Sequence, residues 1–148
     1  MKTNSSLYVY CSKLVVALFY ITLVFSGCVI DNEDAPIDLT PPQLVKPVIG
    51  QLMDNGCVVN RVTVNWDFEW AQKQGAARYH FRLRAQNALV NAVDNENIMS
   101  TSYRHVINGY IGSNFTQNWT WQVRAYIRGN WTEWSTGTFN VKEVDTGC

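Results

Sequence analysis

Strict alternation of apolar and polar residues is the feature of this sequence that most constrains its fold. Over residues 62–70, every second residue is valine, tryptophan or phenylalanine, and the residues between them are polar. Similar alternation runs through residues 78–85 and 119–128. Because successive side chains of a β-strand point to opposite faces, this period of two predicts strands with one buried face.

Shorter signals complete the predicted set of strands. Residues 42–48, 100–107 and 137–144 are rich in residues typical of strands, and turn-forming sequences separate them. Pro47 lacks a backbone donor and therefore places the first strand at a sheet edge. Residues 87–97 are ambiguous and allow a short irregular strand. The pattern predicts an all-β sandwich of about seven strands without a helix.

Four places in residues 41–144 resemble a fibronectin type III-like domain. Trp66 lies in the second predicted strand, where the family buries a tryptophan, and Tyr79 matches a tyrosine of the third. The run from Trp119 to Ala125 is similar to the penultimate strand of bacterial members. Residues 131–135, Trp-Thr-Glu-Trp-Ser, resemble the Trp-Ser-x-Trp-Ser box of cytokine-receptor sandwiches. The resemblance implies an immunoglobulin-like, fibronectin type III-like domain over residues 41–148.

Trp119 departs from the family pattern. It stands where the family normally has its corner tyrosine, whose hydroxyl bonds to the backbone. An indole has no hydroxyl, so we do not expect the usual corner hydrogen bond in the same form.

Basic and aromatic residues cluster on one predicted face. In the receptor family, arginines of two neighbouring strands stack between the two tryptophans, and the resemblance makes Arg124 and Arg128 the best-placed candidates here. Either the ladder stiffens the sheet, or it forms a surface for an acidic or sugar partner. The candidate residues are Arg82, Arg84, Arg124, Arg128, Trp131 and Trp134.

The beginning of the chain predicts export. Polar residues with Lys2 and Lys13 precede an apolar run over residues 14–25, and Ser26 and Gly27 follow, which is the order of a secretory signal. The apolar run is shorter than the roughly 20 residues that a spanning helix needs.

A cysteine follows this signal directly. Residues 25–28, Phe-Ser-Gly-Cys, resemble the bacterial lipobox, although Phe25 replaces the usual aliphatic residue. We therefore predict a signal peptide over residues 1–27 and a lipid anchor on Cys28. An ordinary signal peptide with an incidental cysteine and a permanent transmembrane anchor are the alternatives.

Residues 28–40 are acidic and contain proline, which predicts a flexible tether. Asp31, Glu33 and Asp34 resemble the acidic export signal of surface lipoproteins in Bacteroidetes-type bacteria. A solvated linker is the alternative interpretation of this acidic cluster. We expect an outer-membrane lipoprotein of the bacterial cell envelope, with the domain either exposed at the cell surface or facing the periplasm.

Of the four cysteines, Cys11 lies in the predicted signal peptide and Cys28 is the predicted anchor, which leaves Cys57 and Cys148. In a fibronectin-type topology, the loop that carries Cys57 and the C-terminus that carries Cys148 lie at the same pole. An exported chain favours disulfides, so we predict that these two pair. Two unpaired thiols are the alternative.

The sequence offers little chemistry for catalysis. Its two histidines, His80 and His105, lack metal-ligand spacing, and we expect His80 on an exposed sheet face. Asp67 and Glu69 share the outward face of one strand and are expected to be solvated. No nucleophile elbow, phosphate loop or nucleotide fingerprint is present, so we expect neither enzyme activity nor a metal or cofactor.

Charge balance and aromatic content narrow the expected partners. The chain has 12 basic and 12 acidic residues, without the basic excess typical of nucleic-acid binding. We expect a binding, adhesion or scaffolding module with an unidentified protein or glycan partner. The alternative is a carbohydrate-binding module that stacks sugars on exposed Trp70, Trp131 and Trp134.

Overall fold

A computed structural model describes residues 36–59 and 63–147 of the chain. The predicted signal peptide, Cys28 and Cys148 lie outside the described residues. No helix within the described ranges is long and apolar enough to cross a membrane.

The domain is a sandwich of two β-sheets. The smaller sheet has the order β1-β3-β6, and the larger has the order β2-β9-β7-β4-β5, with β8 pairing β7. This arrangement is the fibronectin type III-like sandwich that the sequence predicts. The strands are β1 (Leu44–Lys46), β2 (Gln51–Met53), β3 (Thr63–Trp70), β4 (Ala76–Arg84), β5 (Val93–Ile98), β6 (Ser102–Asn108), β7 (Trp119–Ile127), β8 (Asn130–Trp131) and β9 (Ser135–Val141).

The strands predicted from alternation are confirmed. They correspond to β3, β4 and β7, and the ambiguous stretch contains all of β5 except its last residue, Ile98. The described residues form nine strands rather than about seven because β2 and β8 are added. With three and two residues, these strands are too short to show a period of two.

Aromatic rings fill the space between the sheets. Trp66 and Phe68 of β3 are fully buried, as are Trp121 and Phe139 of the opposite sheet. The Trp66 ring meets Phe139 edge-on with centroids 5.2 Å apart, and Phe68 meets Trp121 at 5.3 Å. Such pairs contribute roughly 0.5–1.5 kcal/mol each beyond the area they bury.

Gly137 of β9 allows one of these rings to approach the backbone closely. A Cβ atom at this position would lie 2.9 Å from Cε2 of Trp121 and 3.0 Å from Cδ1 of Leu44. Since real Cβ atoms essentially never come within 3.0 Å of a neighbour, any side chain here would displace the indole. Glycine is therefore required by the packing of Trp121.

Trp119 makes a corner contact although it is not tyrosine. Its indole N–H donates to the carbonyl of Phe115, four residues earlier in the chain, and the ring is buried. Tryptophan lacks the hydroxyl group that makes the usual corner hydrogen bond. The indole N–H of Trp119 makes a corner bond instead and connects the preceding loop to the start of β7.

The N-terminal pole is the end of the sandwich where the described chain begins. Ile37 packs against the core, and Nζ of Lys73 lies 2.6 Å from a carboxylate oxygen of Asp38. The Glu133 N–H donates to the carbonyl of Leu39. The predicted tether, residues 28–40, thus includes residues that pack on the domain, because Ile37 gains an apolar contact there.

The opposite end, the distal pole, gathers residues 54–59, the loops of residues 85–92 and 109–118, and the segment of residues 142–147. Asn55 is buried and links two of them, with its amide donating to the carbonyls of Ile111 and Lys142. Its side-chain oxygen accepts from the Ile111 N–H. Cys57 is also buried and forms a parallel bridge with Asp145. The Cys57 loop and the C-terminal segment therefore lie together, as the predicted disulfide requires.

Candidate functional site

A tight turn folds the chain back over the larger sheet. Arg128 and Gly129 both have positive φ, 45° and 85°. A two-residue hairpin with positive φ at both positions matches the twist of its strands. Asn130 and Trp131 consequently return along β7, with Trp131 opposite Tyr126.

Three arginines alternate with three aromatic rings on this outer face, and we call this stack the ladder. The Arg124 guanidinium carbon lies 4.6 Å from the Trp131 centroid and 4.4 Å from that of Trp134. The distances lie within the range of favourable cation–π contacts. From one end to the other, the ladder consists of Tyr126, Arg78, Trp131, Arg124, Trp134 and Arg82.

His80 lies beneath the ladder and is buried. The prediction that it occupies an exposed face is wrong, because the Trp131 and Trp134 rings cover it with centroids 5.7 and 4.9 Å away. Arg124 donates to Nδ1 of His80 at 3.2 Å, and Nε2 of His80 lies 2.5 Å from a carboxylate oxygen of Asp94. This last hydrogen bond lowers the pKa of Asp94 below its ordinary value.

Hydroxyl groups fasten the segment of residues 131–135 to neighbouring backbone. Thr132 is buried, and its hydroxyl oxygen accepts from the Ala125 N–H and donates to the carbonyl of Glu133. The Ser135 hydroxyl donates to the carbonyl of Pro42. These bonds hold the two tryptophans over the sheet.

The ladder differs from the one that the sequence predicted. It includes the expected Arg82 and Arg124 but also Arg78. Arg128 adopts positive φ in the turn, so it leaves the strand geometry that would have placed it beside Arg124. Arg84 is the last residue of β4 and pairs with Thr120, beyond the ring of Trp134.

The tryptophans do not form the exposed platform expected for a sugar site. Trp70 is only 3% exposed and packs in the core against Tyr79. Trp131 and Trp134 are half-buried, and guanidinium groups already lie over their rings. A sugar ring would have to displace these arginines, so the arrangement disfavours the carbohydrate-binding alternative.

The distal pole carries an open apolar groove of about 420 Å³ between the loops of residues 85–92 and 109–118. At its rim, Leu89 is 99% exposed and Val90 is 75% exposed. Contiguous exposed apolar surface of this kind marks interaction sites. The groove lining includes Ala88, Val90, Tyr110, Ile111, Phe115 and Trp119.

A smaller polar depression of about 210 Å³ adjoins this groove, and Asn91 lines both. Its other lining residues are Arg82, Arg84, Thr120 and Gln122. Arg82 forms an ion pair with Asp94, with Nε 3.3 Å from the carboxylate. The side chain of Arg84 has no hydrogen-bond or ion-pair partner within residues 36–59 and 63–147.

Carboxylates of the smaller sheet are engaged in surface ion pairs. Nε and Nη2 of Arg104 lie 2.6 and 3.2 Å from the two carboxylate oxygens of Asp67, and this contact lowers the pKa of the carboxyl group. Glu69 pairs with Lys46 at 3.3 Å. In the part of the chain that the structure describes, no three side chains of His, Cys, Asp or Glu come together as metal ligands.

Comparisons with known proteins find a likeness among solved structures. No protein-family model matches the sequence, and no curated protein matches it. The solved structures similar to the chain include the crystal structure of an Fn3-like protein from Clostridium thermocellum. The two share 17% sequence identity and superpose with a TM-score of 0.38, covering 68% of this chain and 99% of the other.

Proposed function

We propose that this chain is a lipid-anchored protein of the bacterial cell envelope whose sandwich is a non-enzymatic binding module. The partner binds at the distal pole. The observation that carries this proposal is the exposed apolar surface of Leu89 and Val90 beside an open groove. An exposed leucine at the tip of a loop contributes nothing to the core, but it contributes to binding when a partner covers it.

The position of the pole agrees with tethering from the other end. The described chain enters at the N-terminal pole, where Ile37 and Asp38 contact the domain. The distal pole lies one strand length away, roughly 30 Å for the nine residues of β4. A partner at the distal pole would therefore bind at the opposite end of the domain from Ile37 and Asp38.

Support for the anchor comes from the sequence alone. The run Phe25-Ser26-Gly27-Cys28 follows a signal-like segment. Metabolic labelling with a palmitate analogue should mark the wild-type chain and leave Cys28→Ala unlabelled. Equal labelling of the two would contradict lipid attachment at this cysteine.

Site-specific photo-crosslinking in cells tests the binding function. A photoreactive amino acid at Val90 should give a discrete adduct with a single protein. The matched control places it at Val106 of the smaller sheet, a valine that is 49% exposed. Adducts of equal yield from both positions, or from neither, would count against the distal pole as the binding surface.

A further inference from the structure

The two adjoining depressions of the distal pole differ in chemistry. The groove presents aliphatic and aromatic side chains, whereas the polar depression presents two arginines with amide and hydroxyl groups. Because Asn91 lines both, the two depressions lie close enough for one extended ligand to contact each of them. The ligand must therefore combine an apolar group with a polar one.

The polar depression favours a negative charge. Arg84 is exposed and has no partner within the described ranges, so its guanidinium is available for two parallel hydrogen bonds. Arg82 lines the same depression, but it pairs with Asp94, so the positive charge available to a ligand is that of Arg84. A planar carboxylate matches the fork of donors that a guanidinium presents.

The groove favours a bulky apolar side chain. Val90, Tyr110 and Phe115 are large, apolar and at least 42% exposed, and they face a space of about 420 Å³. Leu89 stands outside the groove and is almost fully exposed. A small ligand seated in the groove would leave Leu89 uncovered, whereas a protein surface would cover both.

We propose that the distal pole binds a protein segment in which a carboxylate side chain lies next to a bulky apolar side chain. The carboxylate pairs with Arg84 in the polar depression, and the apolar side chain enters the groove beside Val90. This inference rests on the proposed binding function and specifies the chemistry of its partner.

Defined peptides test this chemistry on the full chain reconstituted in lipid nanodiscs. The probe is a fluorescent, acetylated peptide with leucine–glutamate pairs, and its binding is measured by fluorescence anisotropy at low salt. Replacing glutamate by glutamine, or leucine by serine, should each weaken binding about fivefold, as expected for an exposed ion pair and one apolar contact.

Variants of the chain locate the binding site. Arg84→Gln should weaken binding of the leucine–glutamate peptide about fivefold but leave the weaker binding of the leucine–glutamine peptide unchanged. Val90→Ser should weaken binding of both peptides. Lys46→Gln is the matched control: it removes an exposed positive charge from the smaller sheet and should change neither.

Several outcomes would overturn the inference. Equal affinities of the glutamate and glutamine peptides would show that the carboxylate does not contribute to binding. Competition by free decanoate as strong as that by the unlabelled peptide would indicate a lipid-type ligand instead. Absent peptide binding together with a specific adduct at Val90 in cells would refute this chemistry but leave the proposed function standing. Absence of both would refute the two together.

Discussion

The ladder and the distal pole use the same types of residue and leave them in opposite states. In the ladder, Arg124 lies between the rings of Trp131 and Trp134 and donates to His80. At the distal pole, the side chain of Arg84 has no partner within residues 36–59 and 63–147, and Phe115 is 42% exposed. Where the chain covers its own surface, arginine and aromatic side chains contact one another, and we expect these contacts to stabilise the fold. Where the chain leaves that surface open, they remain available to a partner.

Local backbone geometry explains the difference. The turn at Arg128 and Gly129 sends the chain back over β7, so that Trp131 and Trp134 cover the sheet. At the other end of β4, the chain continues into the loop of residues 85–92, which turns away and leaves Leu89 in solvent. A covered face and an open end thus occur on the same strand.

The largest effect is expected from the crosslink predicted at the distal pole. If Cys57 and Cys148 are paired, the bond closes a long loop, and Cys57→Ser should lower the free energy of unfolding by about 3–4 kcal/mol. Denaturant unfolding with and without reductant measures the change. The double variant with Cys148→Ser should lose no more than the single one. Alkylation of both thiols without prior reduction would contradict the pairing.

Truncation of one ring should separate the ladder from the pole. Trp134→Ala removes contacts with Arg82, Arg124 and His80 and should lower the free energy of unfolding by about 2–3 kcal/mol. Phe115→Ala removes a ring that is 42% exposed and should cost less than about 1 kcal/mol. Equal losses of unfolding free energy in the two variants, measured by denaturant unfolding, would contradict the distinction between the ladder and the distal pole.

Two arginine variants compare the ladder and the distal pole in the same way, by the loss of a positive charge in each region. Arg124→Gln removes two cation–π contacts and should cost about 1–2 kcal/mol. Arg84→Gln should change the free energy of unfolding by less than about 0.5 kcal/mol. Thermal and denaturant unfolding give both values, and a larger loss for Arg84→Gln would show that its side chain is structurally engaged.

The smallest effect concerns acid stability. Hydrogen bonding by His80 lowers the pKa of Asp94 below its ordinary value of 3.8. The folded state therefore binds this proton more weakly, so the stabilisation is complete above pH 3.8 and is lost as the pH falls further. Asp94→Asn should make this acid limb of a pH series of unfolding measurements shallower, while the part that comes from the lowered pKa values of Asp38 and Asp67 should remain.

The same pH series contains its controls. Arg84→Gln should leave the acid limb as in the wild type because Arg84 forms no ion pair with Asp94. Burial lowers the pKa of His105 below 6.5, so an earlier loss of stability begins below that pH and should persist in both variants. An unchanged acid limb in Asp94→Asn would contradict the role given to this carboxylate.

Much of the fold was predictable because alternation reports burial directly. The inward residues Trp66, Phe68 and Trp121 are all fully buried, as the period of two requires. The strand β2 was not predictable, because pairing with β9 rather than any local pattern creates it.

The candidate site was less predictable because it depends on the turn after β7. Alternation alone places Arg128 on the same face as Arg124, but positive φ at Arg128 ends the strand geometry there. The same turn covers His80, which its sequence neighbours gave no reason to bury. The Arg128-Gly129 pair before Asn130 was a usable turn signal, and it would have predicted the returning β8. Neither the groove nor the polar depression has a local sequence signal, because residues far apart in the sequence line each of them.

The central claim is that the ladder stabilises the domain while the distal pole binds the partner. The most direct test is the yield of the Val90 photo-crosslink in cells, measured for Arg84→Gln and Arg124→Gln and normalised to the amount of folded protein. The account predicts a lower yield in Arg84→Gln and a yield close to the wild type in Arg124→Gln. The opposite result, with the adduct lost in Arg124→Gln and kept in Arg84→Gln, would contradict it.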